Sequence, residues 1–460
     1  MTDENIAVIG AGPVGCVLAL LLQRRGFRVT VHEKRADMRQ GGVAAGRSIN
    51  LVLTRRGLRA LRLLGLEDEV LAITTPVFGR MMHSLAGELT YTPYGKDDRE
   101  RNHSISRGDL NRFLLDQAEA AGVTLHFERE LAGFDPRAGT LRFQDPAGRP
   151  LPEVTAARVF GADGAPSAVR AGLVDAGLAE HRMDLLPDGY KELLFPAAPG
   201  GGFAMEQRAL HIWPRGTHML MGLPNLDGSF TGTIYMHHEG AVSFAALDAP
   251  AAVEAFFAAH YPDAVPLLGQ GLGQAFLDSP TGILGTVRCS AWRHADRVLL
   301  VGDAAHAVVP FFGQGLNCGF EDCAALDQLL RAGGSDLGAV FQAYEDERKP
   351  AGNAIADMAL ENYVEMRDRV GDPAFILQKR VEQRVEAALA PRYRSRYAMV
   401  VYSSIPYHLA REAGELNAGI LAELCQGIEE PEQADLARAE ALVAERLTPF
   451  VAAHGLDLDF

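Results

Sequence analysis

The chain has 460 residues, 48% apolar and 22% charged, enough to bury a large core in two or three units and too apolar for a disordered chain. Its net charge of −15 argues against a nucleic-acid partner, whose phosphate surface would be repelled, and disfavours anionic lipid surfaces. The five cysteines (Cys16, Cys289, Cys318, Cys323, Cys425) are scattered, odd in number and without metal-ligand spacing, which suits a reducing compartment. The acidic start MTDENIAVIG lacks the positive flank of a signal peptide, and no apolar run approaches the roughly 20 residues that span a bilayer. A soluble, cytoplasmic protein without a membrane anchor is expected.

NIAVIG reads as a buried strand and is followed directly by Gly10-Ala-Gly12-Pro-Val14-Gly15. VLALLLQRRGF reads as a helix ending at Gly26, and FRVTVHEK as a second strand closing on Glu33. Strand, G-x-G-x-x-G turn, helix, second strand and acid fall in the register of a dinucleotide-binding unit. Glycines there permit close backbone approach, the helix N-terminus receives a pyrophosphate, and the acid accepts hydrogen bonds from a ribose. Glu33 favours a free 2′-hydroxyl, as in FAD or NAD, while Lys34 and Arg35 leave room for a 2′-phosphate.

Further along, RVFGADGAPSAVR (158–170) places Asp163-Gly164 after another strand-like run, and RVLLVGDAAHAVVPFFGQGLN places Asp303 between a strand and a nearly chargeless segment. Asp303 also suits a helix N-cap. His306 is read as packed or hydrogen-bonded rather than as a base, and Cys318 and Cys323 lack the companions of a metal site. Alternation in MLMGL and TGTIY (219–235) predicts strands with one face toward a pocket. Met219 and Met221 are read as lining that pocket or a core. Residues 371–460 read as helices, and no second dinucleotide fingerprint follows the first.

Together these segments resemble the flavoprotein aromatic hydroxylases, the single-component FAD monooxygenases. The longer matches resemble the kynurenine 3-monooxygenase family: GRSINLVLTRRGLRAL (46–61), GRMMH (79–83), YTPYG (91–95), HIWPRG with MLMGLPNLDGSFTGTIY (211–235), VPFFGQGLNCGFEDC (309–323) and ENYVEM (361–366). The resemblance implies FAD bound at Gly10, Gly12, Val14, Gly15 and Glu33, with Lys34, Arg35 and Arg47 nearby. It puts Asp303 on the ribityl chain, Gly315, Leu316 and Asn317 near the isoalloxazine, and Arg107, Leu131 and Asp163 in contact with the cofactor. It implies that Arg80, Tyr94, Asn362 and Tyr407 hold the amino-acid end of L-kynurenine.

The residue types support that implication. A guanidinium grips a carboxylate through charge-assisted, bidentate hydrogen bonds, and tyrosine hydroxyls complete the shell without added charge. Asn362 and Glu365 lie three apart on an expected helix, so both can face one pocket. Leu210, Met219, Met221, Leu223, Thr233 and Tyr235 would form an apolar box with Pro310 and Phe311, and Phe312 close by.

The activity implied is NADPH-dependent hydroxylation of L-kynurenine to 3-hydroxykynurenine with O₂, through a flavin C4a-hydroperoxide. No protein residue is assigned as catalytic, because the ring amine can supply the electron push. NADPH would dock transiently. The fold expected is α/β plus β: a Rossmann-type FAD-binding domain (1–75, 105–178, 284–370), an inserted β-rich substrate domain (76–104, 179–283) and a C-terminal helical region (371–460). No metal and no nucleic acid are expected, and a homodimer is left open. The alternatives are an FAD monooxygenase on a related aryl amino acid or anthranilate-like compound, or a non-catalytic flavin redox sensor; a halogenase would carry a W-x-W-x-I-P segment, which is absent.

Overall fold

The computed structural model describes residues 5–40, 50–333, 336–366 and 372–460. Arg47 lies outside the described residues. The N-terminal unit forms as its sequence pattern dictates: strand Asn5–Ile9, helix Pro13–Arg24 with proline at its start, then strand Arg28–His32. These two strands sit in the middle of a six-stranded sheet, in the order Arg293–His294, Val298–Leu300, Arg158–Gly161, Asn5–Ile9, Arg28–His32, Thr124–His126. All its pairings are parallel except the edge pair Arg293–His294 with Val298–Leu300. Its strands Val298–Leu300, Arg158–Gly161 and Asn5–Ile9 are buried on both faces along nearly their whole length and so read as continuous apolar runs. Packed on it are the Pro13–Arg24 helix and the long Gly315–Ala332 helix.

A seven-stranded sheet, nearly all antiparallel, stands beside this unit, in the order Gly282–Cys289, His181–Phe195, Phe230–His237, Met219–Pro224, Ala209–Pro214, Gly79–His83, Leu89–Pro93. Cross-strand pairing joins Leu210 to Arg80, Met221 to both Ile212 and Thr233, and Tyr235 to both Met219 and Tyr190. Paired residues share a face, and so do alternate residues along a strand. Arg80, Leu210, Met219, Met221, Leu223, Thr233 and Tyr235 therefore all project from one side. The other side, with Trp213, Leu220, Ile234 and Phe195, is covered by helices Pro250–His260 and Leu272–Asp278.

Those helices accompany the strands of the β-rich 179–283 segment. Val253 and Phe257 of PAAVEAFFAAH and Leu272 and Phe276 of LGQAFLD are buried and fill the sheet's back face. The strand Gly282–Cys289 belongs to the seven-stranded sheet and crosses residue 284, so the expected boundary there falls inside a strand. The regular elements of the described C-terminal residues are all helices, from Pro373–Leu389 to Thr448–Ala453. It packs with helix Leu337–Val364 and the Val309–Phe312 segment into a second core. Among the described residues no helix is long and apolar enough to cross a membrane.

Candidate active site

Two arrangements meet between the sheets. The first is a cradle of backbone at the C-terminal ends of the parallel strands. Gly10 has φ +101°, and a Cβ there would lie 2.5 Å from the Ala162 carbonyl oxygen; a Cβ on Gly15 would lie 2.0 Å from the Gly10 carbonyl oxygen. At Gly12 a Cβ would meet nothing within 4 Å, so that position opens onto free space. Only glycine permits the first two approaches, and they press the turn against the neighbouring strand so that the helix N-terminus faces outward. Val14, beside them, packs against Gly302 and Gly319.

Glu33 accepts the Ala11 N–H at 2.9 Å and the Arg35 Nε–H at 2.7 Å. Burial pushes its carboxyl up, but Arg35 and these N–H donors outweigh it and hold it below the usual carboxylate range. Lys34 and Arg35 are both exposed at the rim. Gly302 has φ +64° and turns the chain so that Asp303 projects into the cleft. The Asp303 carboxylate caps no helix end. It is open toward the cleft yet crowded by protein behind. That burial raises its carboxyl above the ordinary range, against the pull of His306 and of Arg107. Arg107 stands exposed at the start of helix Arg107–Ala120. These groups fit FAD: a phosphate-facing glycine turn, an acid for the ribose, and a second acid for the ribityl hydroxyls.

Three expected cofactor residues are occupied otherwise. Asp163 accepts from Ser167 Oγ at 2.6 Å and from the Ala168 N–H at 2.7 Å, so its carboxylate caps helix Ala168–Asp175. Asn317 is fully buried: its Oδ1 accepts the Thr54 N–H at 2.8 Å, and its Nδ2 donates to the Val52 and Gly313 carbonyls. Its side chain clamps the loop, leaving the first-turn N–H groups of Gly315 and Leu316 at the helix N-terminus to face the cleft. Leu131 packs in the core of the parallel-sheet unit.

The second arrangement is a box against the front of the seven-stranded sheet. Leu210, Ile212, Met221 and Leu223 cluster with Tyr94 and Met366. Phe311 covers the next part of the sheet, 5.1 Å from the Tyr235 ring and 4.7 Å from the Tyr363 ring. Pro310 opens the short helical turn that carries it. At the polar end, the Arg80 guanidinium lies 5.5 Å from the Tyr94 ring centroid and 5.4 Å from that of Tyr397. Its Nε–H is buried and has no partner. The two phenol rings stack at 5.6 Å, and Asn102 Nδ2 donates to the Tyr397 hydroxyl at 3.1 Å. Burial pushes both tyrosine hydroxyls up, so they are neutral. Glu365 is near enough to act electrostatically on Arg80, and Asn362 Nδ2 donates to the Phe311 carbonyl at 2.7 Å.

Tyr407 is the expected residue that the structure does not bring here. Its hydroxyl donates to Gln314 Oε1 at 2.9 Å, and its ring lies 4.0 Å from the Arg56 guanidinium. Tyr397, on helix Arg396–Tyr402, stands against Arg80 instead. Sequence reasoning missed it because the tail was read as plain helix. The aromatic and arginine density of RYRSRYAMVVY was the available signal.

The family model for an FAD binding domain matches residues 3–232 and 283–359. The chain is 48% identical over 452 residues to the kynurenine 3-monooxygenase of Myxococcus xanthus (strain DK1622), covering 98% of this chain and 97% of that protein. It is 44% identical over 454 residues to the enzyme of the same name from Xanthomonas oryzae pv. oryzae (strain PXO99A), covering 99% of each. Among solved structures, 2-methyl-3-hydroxypyridine-5-carboxylic acid oxygenase in its tetrameric form shares the fold with a TM-score of 0.65 at 22% identity, over 82% of this chain and 96% of that one. Pseudomonas aeruginosa PqsL in complex with 2-aminobenzoylacetate does so at 0.62 and 22%, over 80% and 97%. The chain is an FAD-dependent oxidoreductase, and it belongs to the kynurenine 3-monooxygenase family.

Proposed function

We propose that the protein hydroxylates L-kynurenine to 3-hydroxykynurenine, consuming NADPH and O₂. The observation that carries the reading is the unpartnered Arg80 Nε–H, held between two neutral tyrosines at the end of an otherwise apolar box. An aryl amino acid has that polarity: a carboxylate and ammonium at one end and a flat ring at the other. Arg80 takes the carboxylate, with Tyr94 and Tyr397 donating alongside, and Glu365 balances the ammonium. Asn362 acts through the Phe311 carbonyl, and Tyr407 acts indirectly by holding Gln314. The ring lies on Leu210, Met221, Leu223 and Thr233, under Phe311.

When bound, FAD accepts electrons from NADPH and activates O₂, chemistry no side chain here supplies. The protein's part is to hold the ring in place and to keep water out, for which the uncharged run from Ala307 to Asn317 is suited. No residue of the box is read as a general base; burial keeps Tyr235 protonated. The division into an FAD domain, a sheet domain and a C-terminal helical region belongs to the same proposal. So does a cytoplasmic setting.

The test is NADPH oxidation with and without L-kynurenine, with the product identified by mass spectrometry. Substrate-stimulated oxidation and a product one oxygen heavier are expected; no such product at saturating kynurenine would remove the reading. Asp303→Ala should weaken FAD binding by about 10-fold or more, the loss of roughly 1.5 kcal/mol expected for hydrogen bonds to a charged group. Titrating the apoprotein with FAD by flavin fluorescence checks this, and an unchanged affinity would free Asp303 from the cofactor role.

A further inference from the structure

Behind the box lies a buried polar pair that the proposed chemistry does not use. Asp188 is 2% exposed and Tyr363 6% exposed, and the Tyr363 hydroxyl donates to Asp188 Oδ2. Asp188 sits where the register of strand His181–Phe195 against Gly282–Cys289 shifts, between Leu185 and Gly189. It is two residues before Tyr190, so it projects from the same face as the box. His237 Nδ1, on the adjoining strand, lies 2.9 Å from Asp188 Oδ1.

The pair joins two elements with no covalent link near the site. Asp188 belongs to the sheet; Tyr363 belongs to the last turn of helix Leu337–Val364, between Asn362 and Glu365. The Tyr363 ring packs on Phe311, whose carbonyl accepts from Asn362. Ring and carbonyl of Phe311 are thus both set by this one helical turn. The pair also stands at a boundary: Asp188, Met219, Tyr235, Tyr363 and Met366 line a small cavity of about 20 Å³ that reaches the turn from Pro214 to His218.

Burying a carboxylate is costly, and an apolar contact would hold a helix on a sheet more cheaply; what a charge-assisted hydrogen bond adds is direction. We infer that Asp188 and Tyr363 form a positioning pair that sets the depth of Phe311 and of the Asn362–Glu365 turn, and thereby the fraction of NADPH consumption that ends in hydroxylation. The inference rests on the proposed placement of the substrate ring under Phe311.

The experiment uses the FAD-loaded enzyme. Tyr363→Phe keeps the ring and removes the hydroxyl. With flavin content and melting temperature close to the parent's, it should raise KM for L-kynurenine about 3- to 10-fold. The product formed per NADPH should drop to about half or less, with hydrogen peroxide accounting for the difference. Asp188→Asn, which keeps an acceptor oxygen for Tyr363, should retain most of the coupling that Asp188→Ala loses. Parent-like KM and coupling in folded Tyr363→Phe would overturn the inference, as would equal losses in Asp188→Asn and Asp188→Ala. If Tyr363→Phe does not fold, the comparison between the two Asp188 variants decides. Asn362→Ala separates the two levels: a parent-like KM there would sink the proposed site itself, whereas a raised KM there beside a normal Tyr363→Phe would sink only the positioning pair.

Discussion

Arg80→Ala is expected to raise KM for L-kynurenine by about 10- to 100-fold while leaving FAD content unchanged. A hydrogen bond to a charged group contributes roughly 1.5–3 kcal/mol, and a guanidinium on a carboxylate can make two. Arg80 is positioned for such a grip: its Nε–H is buried without a partner, and strand Gly79–His83 fixes its Cα beside Leu210. Its removal also strips the flanking Tyr94 and Tyr397 rings of cation–π contacts, worth roughly 0.5–1 kcal/mol each in the free enzyme. Arg80→Lys should fall between the two, because an ammonium supplies charge without the planar fork. Steady-state kinetics with parallel flavin quantitation decide the matter. Equal loss of FAD and substrate affinity would show that Arg80 supports the fold rather than the ligand.

The parts of this site that follow a strict period were legible in the sequence. Alternation in MLMGL and TGTIY placed Met219, Met221, Thr233 and Tyr235 on one face, and cross-strand register carried that face to Leu210 and Arg80. The glycine turn was legible because few residue types tolerate its geometry: the Gly10 φ and the 2.0 Å approach at Gly15 exclude any Cβ. What was hidden depends on long-range packing. Tyr397 and Tyr407 are both helix tyrosines in the C-terminal region, and nothing local says that one faces Arg80 and the other Gln314. Asp163 and Asp303 both follow strands in glycine-flanked turns. Which carboxylate is spent on a cap depends on whether a Ser sits four residues on: Ser167 does so for Asp163, while Ala307 stands at that place after Asp303. The helices on the back of the sheet are hard to tell from sequence because PAAVEAFFAAH is apolar nearly all round and carries little amphipathic signal.

Asp322→Ala is expected to cost about 3–5 kcal/mol of stability, the usual result of leaving buried charges without their partner. Asp322 is fully buried: its Oδ1 accepts Arg348 Nε–H at 2.7 Å, and its Oδ2 accepts His306 Nε2–H at 2.6 Å and the Gly302 N–H at 3.0 Å. Arg348 continues to Glu321 at 2.9 Å, and Glu321 to Arg56 at 2.7 Å. Arg56 in turn donates to the Val400 and Met399 carbonyls of the C-terminal helices. Two arginines face two carboxylates, so the His306 proton is the remaining positive charge. Desolvation acts against that proton, but Asp322 and Cys318 outweigh it and hold the imidazolium well above its ordinary range. A group whose folded pKa is raised contributes stability that is complete below its unfolded value, about 6.5, and is lost as pH rises toward the folded one. Denaturant midpoints of the parent should therefore fall from about pH 6.5 upward through this group, and Asp322→Ala should lack that part of the slope. Because Asp322 also fixes the Gly302 N–H ahead of Asp303, the variant should lose FAD affinity as a secondary effect. Denaturation at pH 6, 7 and 8, with flavin release followed in parallel, checks all three outcomes. A variant within about 1 kcal/mol of the parent, with the same pH slope, would show that His306 is held by its packing on Trp292 and not by Asp322.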